Sequence, residues 1–238
     1  MIFVFITLEI KNLLKVGLVL LAVAVLAASA SFAFPQNVVS VMGPYGTRTL
    51  LIDAGHGGVD GGAVSSAGAK ESDINLAIAL KMASLCELMG LEHALTRTDS
   101  EGCLNSAPYS EHDDLVARAD MANSIADCVL ISVHQNKYPS DVVRGAEVMY
   151  AETPQSRELG LITQDNMVSA LDPDNRRVAR QAPAELLLTS SVNCPAILVE
   201  CGFMSNPQEA DKLSDDVYQA KIALTLIASY TQFCSHQL

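Results

Sequence analysis

Positive charge is scarce in this chain. Its 238 residues carry 15 Lys and Arg against 27 Asp and Glu, a formal net charge of −12 at pH 7. Phosphate backbones are bound by Lys and Arg, so this balance excludes a nucleic-acid partner. CxxC pairs are missing as well. The six cysteines are Cys86, Cys103, Cys128, Cys194, Cys201 and Cys234. A thiolate zinc site needs closely spaced pairs, so that chemistry is excluded. The spacings give no compact disulfide framework, and a domain of this size does not need one. Most of the cysteines are expected to be free, buried thiols. No tandem repeat or charge block marks a second, repeat-built binding module.

The amino terminus is different in kind. Lys11 and Lys15 precede an apolar run from Val16 to Leu26, and small residues follow through Ala28-Ser29-Ala30 and Ser31-Phe32-Ala33. A charged start, an apolar centre and a small-residue end form the pattern of a secretory signal. The alternative is an uncleaved membrane anchor, because the apolar stretch reaching Phe34 is long enough to span a bilayer. Either way, residues 1–33 are expected to lie outside the fold. The remainder then lies outside the cytoplasm, secreted or anchored, and meets a membrane only through this segment if it is uncleaved. Without Lys11, Lys15 and Glu9, 13 basic residues face 26 acidic ones. Residues 34–48 read as a lead-in, and residues 49–238 suffice for one domain with a full core.

Near-continuous apolar runs at residues 49–53, 128–134 and 196–200 read as strands buried on both faces, as in parallel sheets. Further strands are expected at 92–96, 145–150 and 185–188. Helical spacing predicts a helix over 72–89, where Ile74, Ile78, Met82 and Leu85 share a face and Gly90 ends the run. Other helices are predicted at 114–126, 154–168, 207–213 and 216–233. The alternation gives an α/β class: a single domain with a mostly parallel twisted sheet and helices on both faces.

Polar residues close the three central runs. His56 follows the first, His134 ends the second and Glu200 ends the third. In open parallel sheets the ligand site lies at the carboxyl ends of the strands, so these distant residues are expected to meet there. Glu71 opens the first helical pattern, after a loop over 55–70 that holds six Gly. Two His and a Glu are a zinc ligand set that leaves a fourth position open. A second Glu beside that position is placed to carry a proton. Asp53 is a candidate partner for an imidazole N–H.

The stretches Leu51-Ile52-Asp53-Ala54-Gly55-His56-Gly57-Gly58, Ile131-Ser132-Val133-His134-Gln135-Asn136 and Val199-Glu200-Cys201-Gly202-Phe203-Met204-Ser205-Asn206, together with Glu71, resemble zinc-dependent N-acetylmuramoyl-L-alanine amidases of type 3. Thr96-Arg97, Arg118 and Ala122-Asn123 fit the same pattern, and the similarity covers residues 49–233. The resemblance implies one Zn2+ per chain held by His56, Glu71 and His134, with Glu200 as the catalytic acid/base. It implies peptidoglycan as substrate, cut between the lactyl group of muramic acid and the L-alanine of the stem peptide. The short chain and hydrophobic leader resemble the spore-cortex, germination-specific subgroup. Members of that subgroup strip stem peptides so that a partner peptidoglycan deacetylase can help form muramic δ-lactam.

Three alternatives stand beside this reading. They are a vegetative wall amidase in cell separation or turnover, a zinc peptidase cutting within the stem peptide, and a non-catalytic wall binder. Glu200 argues against the last, since a binder needs no proton carrier. Taken alone, Glu71 is also a first-turn acid favoured by the helix dipole. Asn136 and Asn206 read equally as turn or site residues. Arg180 reads as a solvated surface Arg rather than a carboxylate clamp, and His93 and His112 as ordinary loop or surface residues.

Overall fold

Apolar strands of alternating facing build the centre of the molecule. A computed structural model of the chain describes residues 48–102 and 109–236. The leader at 1–33, all of the lead-in except Arg48, and Cys103 lie outside the described residues. Strands β1 (Thr49–Ala54), β2 (His93–Leu95), β3 (Cys128–Asn136), β4 (Glu147–Tyr150), β5 (Arg180–Gln181) and β6 (Ala196–Phe203) form one sheet in the order β2-β1-β3-β6-β4-β5. All neighbours are parallel except β4, which runs antiparallel to β6. This is the mostly parallel α/β domain that the alternation predicts.

Because strand side chains alternate, each face of the sheet has its own core. Leu50, Ile52, Val129, Ile131, Ile197 and Val199 pack on one face with Ile78 of α1 (Glu71–Met89), Leu159 of α3 (Pro154–Leu171) and Leu226 of α6 (Asp216–His236). Leu51, Leu130 and Ala196 pack on the other with Ala119 of α2 (Glu111–Ser124) and Leu188 of α4 (Leu187–Ser190). A further helix, α5 (Pro207–Leu213), follows β6. Gly90 takes a left-handed conformation (φ 65°) and returns its N–H to the last turn of α1, which is why the helix stops there.

The departures from expectation have local causes. Helix α2 begins at Glu111 rather than 114, because the Ser110 side chain caps it by accepting from the Asp113 N–H. No strand forms at 185–188. The apolar Leu186-Leu187-Leu188 run imitates one, but it makes the short α4, with Leu188 buried under the sheet. The outer strand is instead Arg180–Gln181, exposed and polar, and it carries no apolar signal to be read. Strands β3 and β6 run past His134 and Glu200, with a register irregularity between His134 and Asn136.

Asp53 sits on the α2 face of β1 and is fully buried. Its carboxylate accepts from Arg118, from the Ser132 hydroxyl and, at 2.7 Å, from the Thr96 hydroxyl. Arg118 also donates to Asp114 Oδ2 at 2.8 Å. Burial alone would raise the Asp53 carboxyl, but the Arg118 charge and the two hydroxyls outweigh it and hold the carboxyl below its ordinary value. Removing one side of a buried ion pair leaves an uncompensated charge. Arg118→Met is therefore expected to cost about 3–5 kcal/mol of stability in urea unfolding. A group with a depressed folded pKa stabilises above its unfolded value of 3.8 and loses that contribution as pH falls through the folded one. The share of acid destabilisation due to Asp53 should be absent in Asp53→Asn, as read from urea midpoints between about pH 5 and 2.

Candidate metal centre

Close backbone approach explains the glycines around His56. A Cβ on Gly55 would lie 2.2 Å from His134 Nε2, so only glycine lets β1 end against that ring. A Cβ on Gly62, whose φ is 63°, would lie 2.7 Å from both Glu71 Oε2 and His56 Cδ2. His56 itself takes a left-handed φ of 61°, an uncommon conformation for a side-chain-bearing residue. Two buried arginines hold the backbone there. Arg97 donates to the carbonyls of Ala54 (2.9 Å), Gly55 (3.1 Å) and Ser72 (2.8 Å). Arg118 donates to those of Ala54 (2.9 Å) and His56 (2.8 Å).

With the loop fixed, three side chains converge. Glu71 Oε1 lies 3.1 Å from His56 Nε2 and 3.1 Å from His134 Nδ1. The ligand atoms of His56, Glu71 and His134 all fall within 4.8 Å of one another, which suits a single cation. Glu71 is also held by the N–H groups of Ala63 (2.8 Å) and Gln135 (2.9 Å). Burial opposes its charge, but the hydrogen bonds and charges of the two imidazoles keep it well below the usual carboxylate range. His56 shows the reciprocal effect. Burial would lower it, but Glu71 and then Asp60 push it up to about 9.

Glu200 stands directly across the ladder from His134. Its Oε2 is buried and has no hydrogen-bond partner among the described residues. Burial, opposed by His134 and aided by Glu71, pushes the carboxyl up to about 7. A cavity of about 300 Å³ opens over the group, lined by His56, Asp60, Tyr109, His134, Leu186 and Glu200 among others. The structure thus brings together all four residues singled out in the sequence.

The second tier of the site differs from expectation. Asp53 was the candidate partner for an imidazole, yet its hydrogen bonds go to Arg118, Ser132 and Thr96. Asp60 takes that place, with its Oδ2 2.6 Å from His56 Nδ1. The signal was present in the sequence, as a carboxylate four residues beyond His56 within the Gly-rich loop. Asn206 is a turn residue, capping α5 by accepting from the N–H groups of Gln208 and Glu209. Arg180 is half-exposed and pairs with Glu147 at 3.2 Å, rather than being merely solvated. His93 bonds the Leu91 carbonyl, away from the site, and His112 is exposed.

The sequence profile of the N-acetylmuramoyl-L-alanine amidases matches residues 50–231. The chain belongs to this family. Among amidases, it is 31% identical to the germination-specific N-acetylmuramoyl-L-alanine amidase of Bacillus subtilis, over 77% of this chain and 78% of that one. It is similar in structure to the CwlD amidase from Clostridioides difficile, solved in complex with the GerS lipoprotein. That likeness has a TM-score of 0.73 and 32% identity, and covers 79% of this chain and 99% of that chain. The catalytic domain of the amidase CwlV from Bacillus (Paenibacillus) polymyxa superposes with a TM-score of 0.66 at 28% identity, covering 79% and 98% of the two chains.

Two outcomes are expected of the centre. An outer partner of a ligating His typically contributes 10–100-fold to metal affinity. Asp60→Ala should therefore weaken retention of an added divalent cation by about that factor in chelator competition, with the fold intact by circular dichroism. In metal-free protein, the folded pKa of His56 exceeds its ordinary 6.5 and lies near 9. Its contribution to stability is thus complete below pH 6.5 and lost as pH rises through 9. The melting temperature of chelator-treated protein should fall over this window, and less so in His56→Ala.

Proposed function

We propose that this protein is a zinc-dependent hydrolase of peptidoglycan that cuts the amide between the muramic acid lactyl group and L-alanine. The observation that carries the reading is the buried Glu200 carboxyl facing the His56–Glu71–His134 cluster, its Oε2 without a hydrogen-bond partner among the described residues. A buried polar atom left without a partner is costly and marks a place where function overrides stability.

His56 presents Nε2 to the cluster, because a proton on Nδ1 is held by Asp60 and fixes the tautomer. His134 presents Nδ1, and Glu71 stays ionised between the two rings. These three side chains would hold a zinc ion, which would supply a Lewis acid able to acidify water and polarise the scissile carbonyl. Glu200, near pH 7, is suited both to accept and to donate a proton at neutral pH. It takes a proton from the attacking water and returns it to the alanine nitrogen as the C–N bond breaks. The apolar lining from Leu186 and Leu188 limits water around the carboxylate.

Residues 1–33 are proposed as an export signal or anchor, with residues 49–238 as the catalytic domain acting outside the cytoplasm. Among the described residues, no helix is long and apolar enough to cross a membrane. A spore-cortex role is supported by the germination-specific relative and by the likeness to CwlD. In that role the enzyme would act on the same glycan as a peptidoglycan deacetylase. The relative solved with a lipoprotein supports a lipoprotein as a second kind of partner.

The test is digestion of purified peptidoglycan with and without a chelator, with mass analysis of the fragments. The expected products are stem peptides with a free L-alanine amine and intact glycan strands whose muramic acids carry free lactyl carboxyls, and the chelator should abolish both. Shortened stem peptides would point to a peptidase instead. Glu200→Gln should keep near-normal zinc and lose about 10²–10⁴-fold in rate. His134→Ala should lose zinc and activity together.

A further inference from the structure

The far end of the sheet holds a pair of thiols that the reaction does not use. The Leu130 N–H donates to the Pro195 carbonyl at 2.9 Å, and Leu130 lies opposite Ala196 in the parallel β3–β6 ladder. Cys128 and Cys194 each lie two residues before that pair, Cys128 opening β3 and Cys194 in the bend that leads into β6. Both pack on the α2 side of the sheet, Cys128 buried and Cys194 half-buried at the edge of that core. The two line one cavity of about 390 Å³, together with Arg48, Thr153 and Asn193 among others. The thiols of Cys128 and Cys194 are in hydrogen-bonding contact, close enough for a disulfide to join them.

We propose that Cys128 and Cys194 form a disulfide in the exported protein, stapling the amino-terminal ends of β3 and β6. The inference rests on the proposed export of the chain, which would place the thiols in an oxidising compartment, but not on the amidase chemistry. All five described cysteines are free thiols in the structure, and Cys86, Cys201 and Cys234 are buried.

The chemistry is an exchange with an external disulfide, either low-molecular-weight or on a thiol–disulfide oxidoreductase. Cys194 is the accessible member, and its contact with Cys128 lowers its pKa, while the same contact and burial raise that of Cys128. As thiolate, Cys194 attacks the external disulfide, forms a mixed disulfide and expels one thiol. Cys128 then loses its proton and attacks the Cys194 sulfur, which closes the bond and expels the second thiol. Two protein thiols are oxidised and one external disulfide is reduced to two thiols.

The staple would close the chain over residues 128–194 and join the two strands whose other ends carry His134 and Glu200. Closing so long a loop restricts the unfolded chain strongly.

The experiment uses the full chain. Protein is equilibrated in a glutathione buffer with the disulfide in excess, quenched with N-ethylmaleimide in denaturant and mapped by mass spectrometry. One linked peptide pair joining Cys128 to Cys194 is expected, with Cys86, Cys103, Cys201 and Cys234 alkylated. The oxidised form should melt roughly 5–15 °C above the reduced form. That difference should vanish in Cys194→Ala, which changes a half-exposed side chain and should fold. Alkylation of both Cys128 and Cys194 in wild type, glutathione adducts in place of the link, or a redox-dependent melting shift that survives Cys194→Ala would each overturn the proposal. Mapping of the wild type needs no variant, so a folding defect in the mutant leaves the test intact.

Discussion

The centre depends on two buried cations placed beneath it. Arg118 is 1% exposed and Arg97 is 5% exposed, and between them they hold the carbonyls of Ala54, Gly55 and His56. A guanidinium carries five donors in a rigid plane, so it can bind several carbonyls of one turn at once. The backbone at His56 is left-handed and would relax without such restraint. Burying these charges is itself costly, and Asp53 and Asp114 compensate Arg118 directly. The apolar strands therefore enclose a charged layer whose use is to aim one imidazole.

Above that layer, the electrostatics divide the carboxylates into different tasks. Glu71 lies between two imidazoles and stays ionised, which suits its proposed role as a metal ligand. Glu200 has no partner for Oε2 among the described residues and is pushed toward neutrality, which suits its proposed role as a proton carrier. Asp60 is hydrogen-bonded to His56, Gly62 and Tyr109, and is held below its ordinary value. Like residue types thus reach different protonation behaviour through burial and neighbours alone.

The sheet makes this division geometrically cheap. His134 and Glu200 lie on adjacent parallel strands in direct register, so one ladder contact places the proposed ligand beside the proposed proton carrier. Glu71 sits in the first turn of α1, where its carboxylate reaches both rings and the N–H of Gln135. The single antiparallel neighbour, β4, brings Glu147 opposite Glu200 and with it the Arg177 and Arg180 side chains. That edge is polar and open, unlike the buried β1–β3 side.

The sequence by itself determined the α/β class, the three central strands and the four residues of the centre. Those features are local: unbroken apolar runs, helical spacing and polar residues where the runs end. The tertiary structure alone decided which carboxylate serves His56. Asp53 and Asp60 are both near it in sequence, but strand alternation sends Asp53 to the α2 face and Arg118 claims it. It likewise decided that Arg97 and Arg118 grip backbone, that Leu187 and Leu188 fall in a helix rather than a strand, and that Cys128 and Cys194 come together. Each of these rests on register or on a contact between residues distant along the chain. A one-residue slip would reverse every side chain of a strand, and no local pattern encodes the partner on the neighbouring strand.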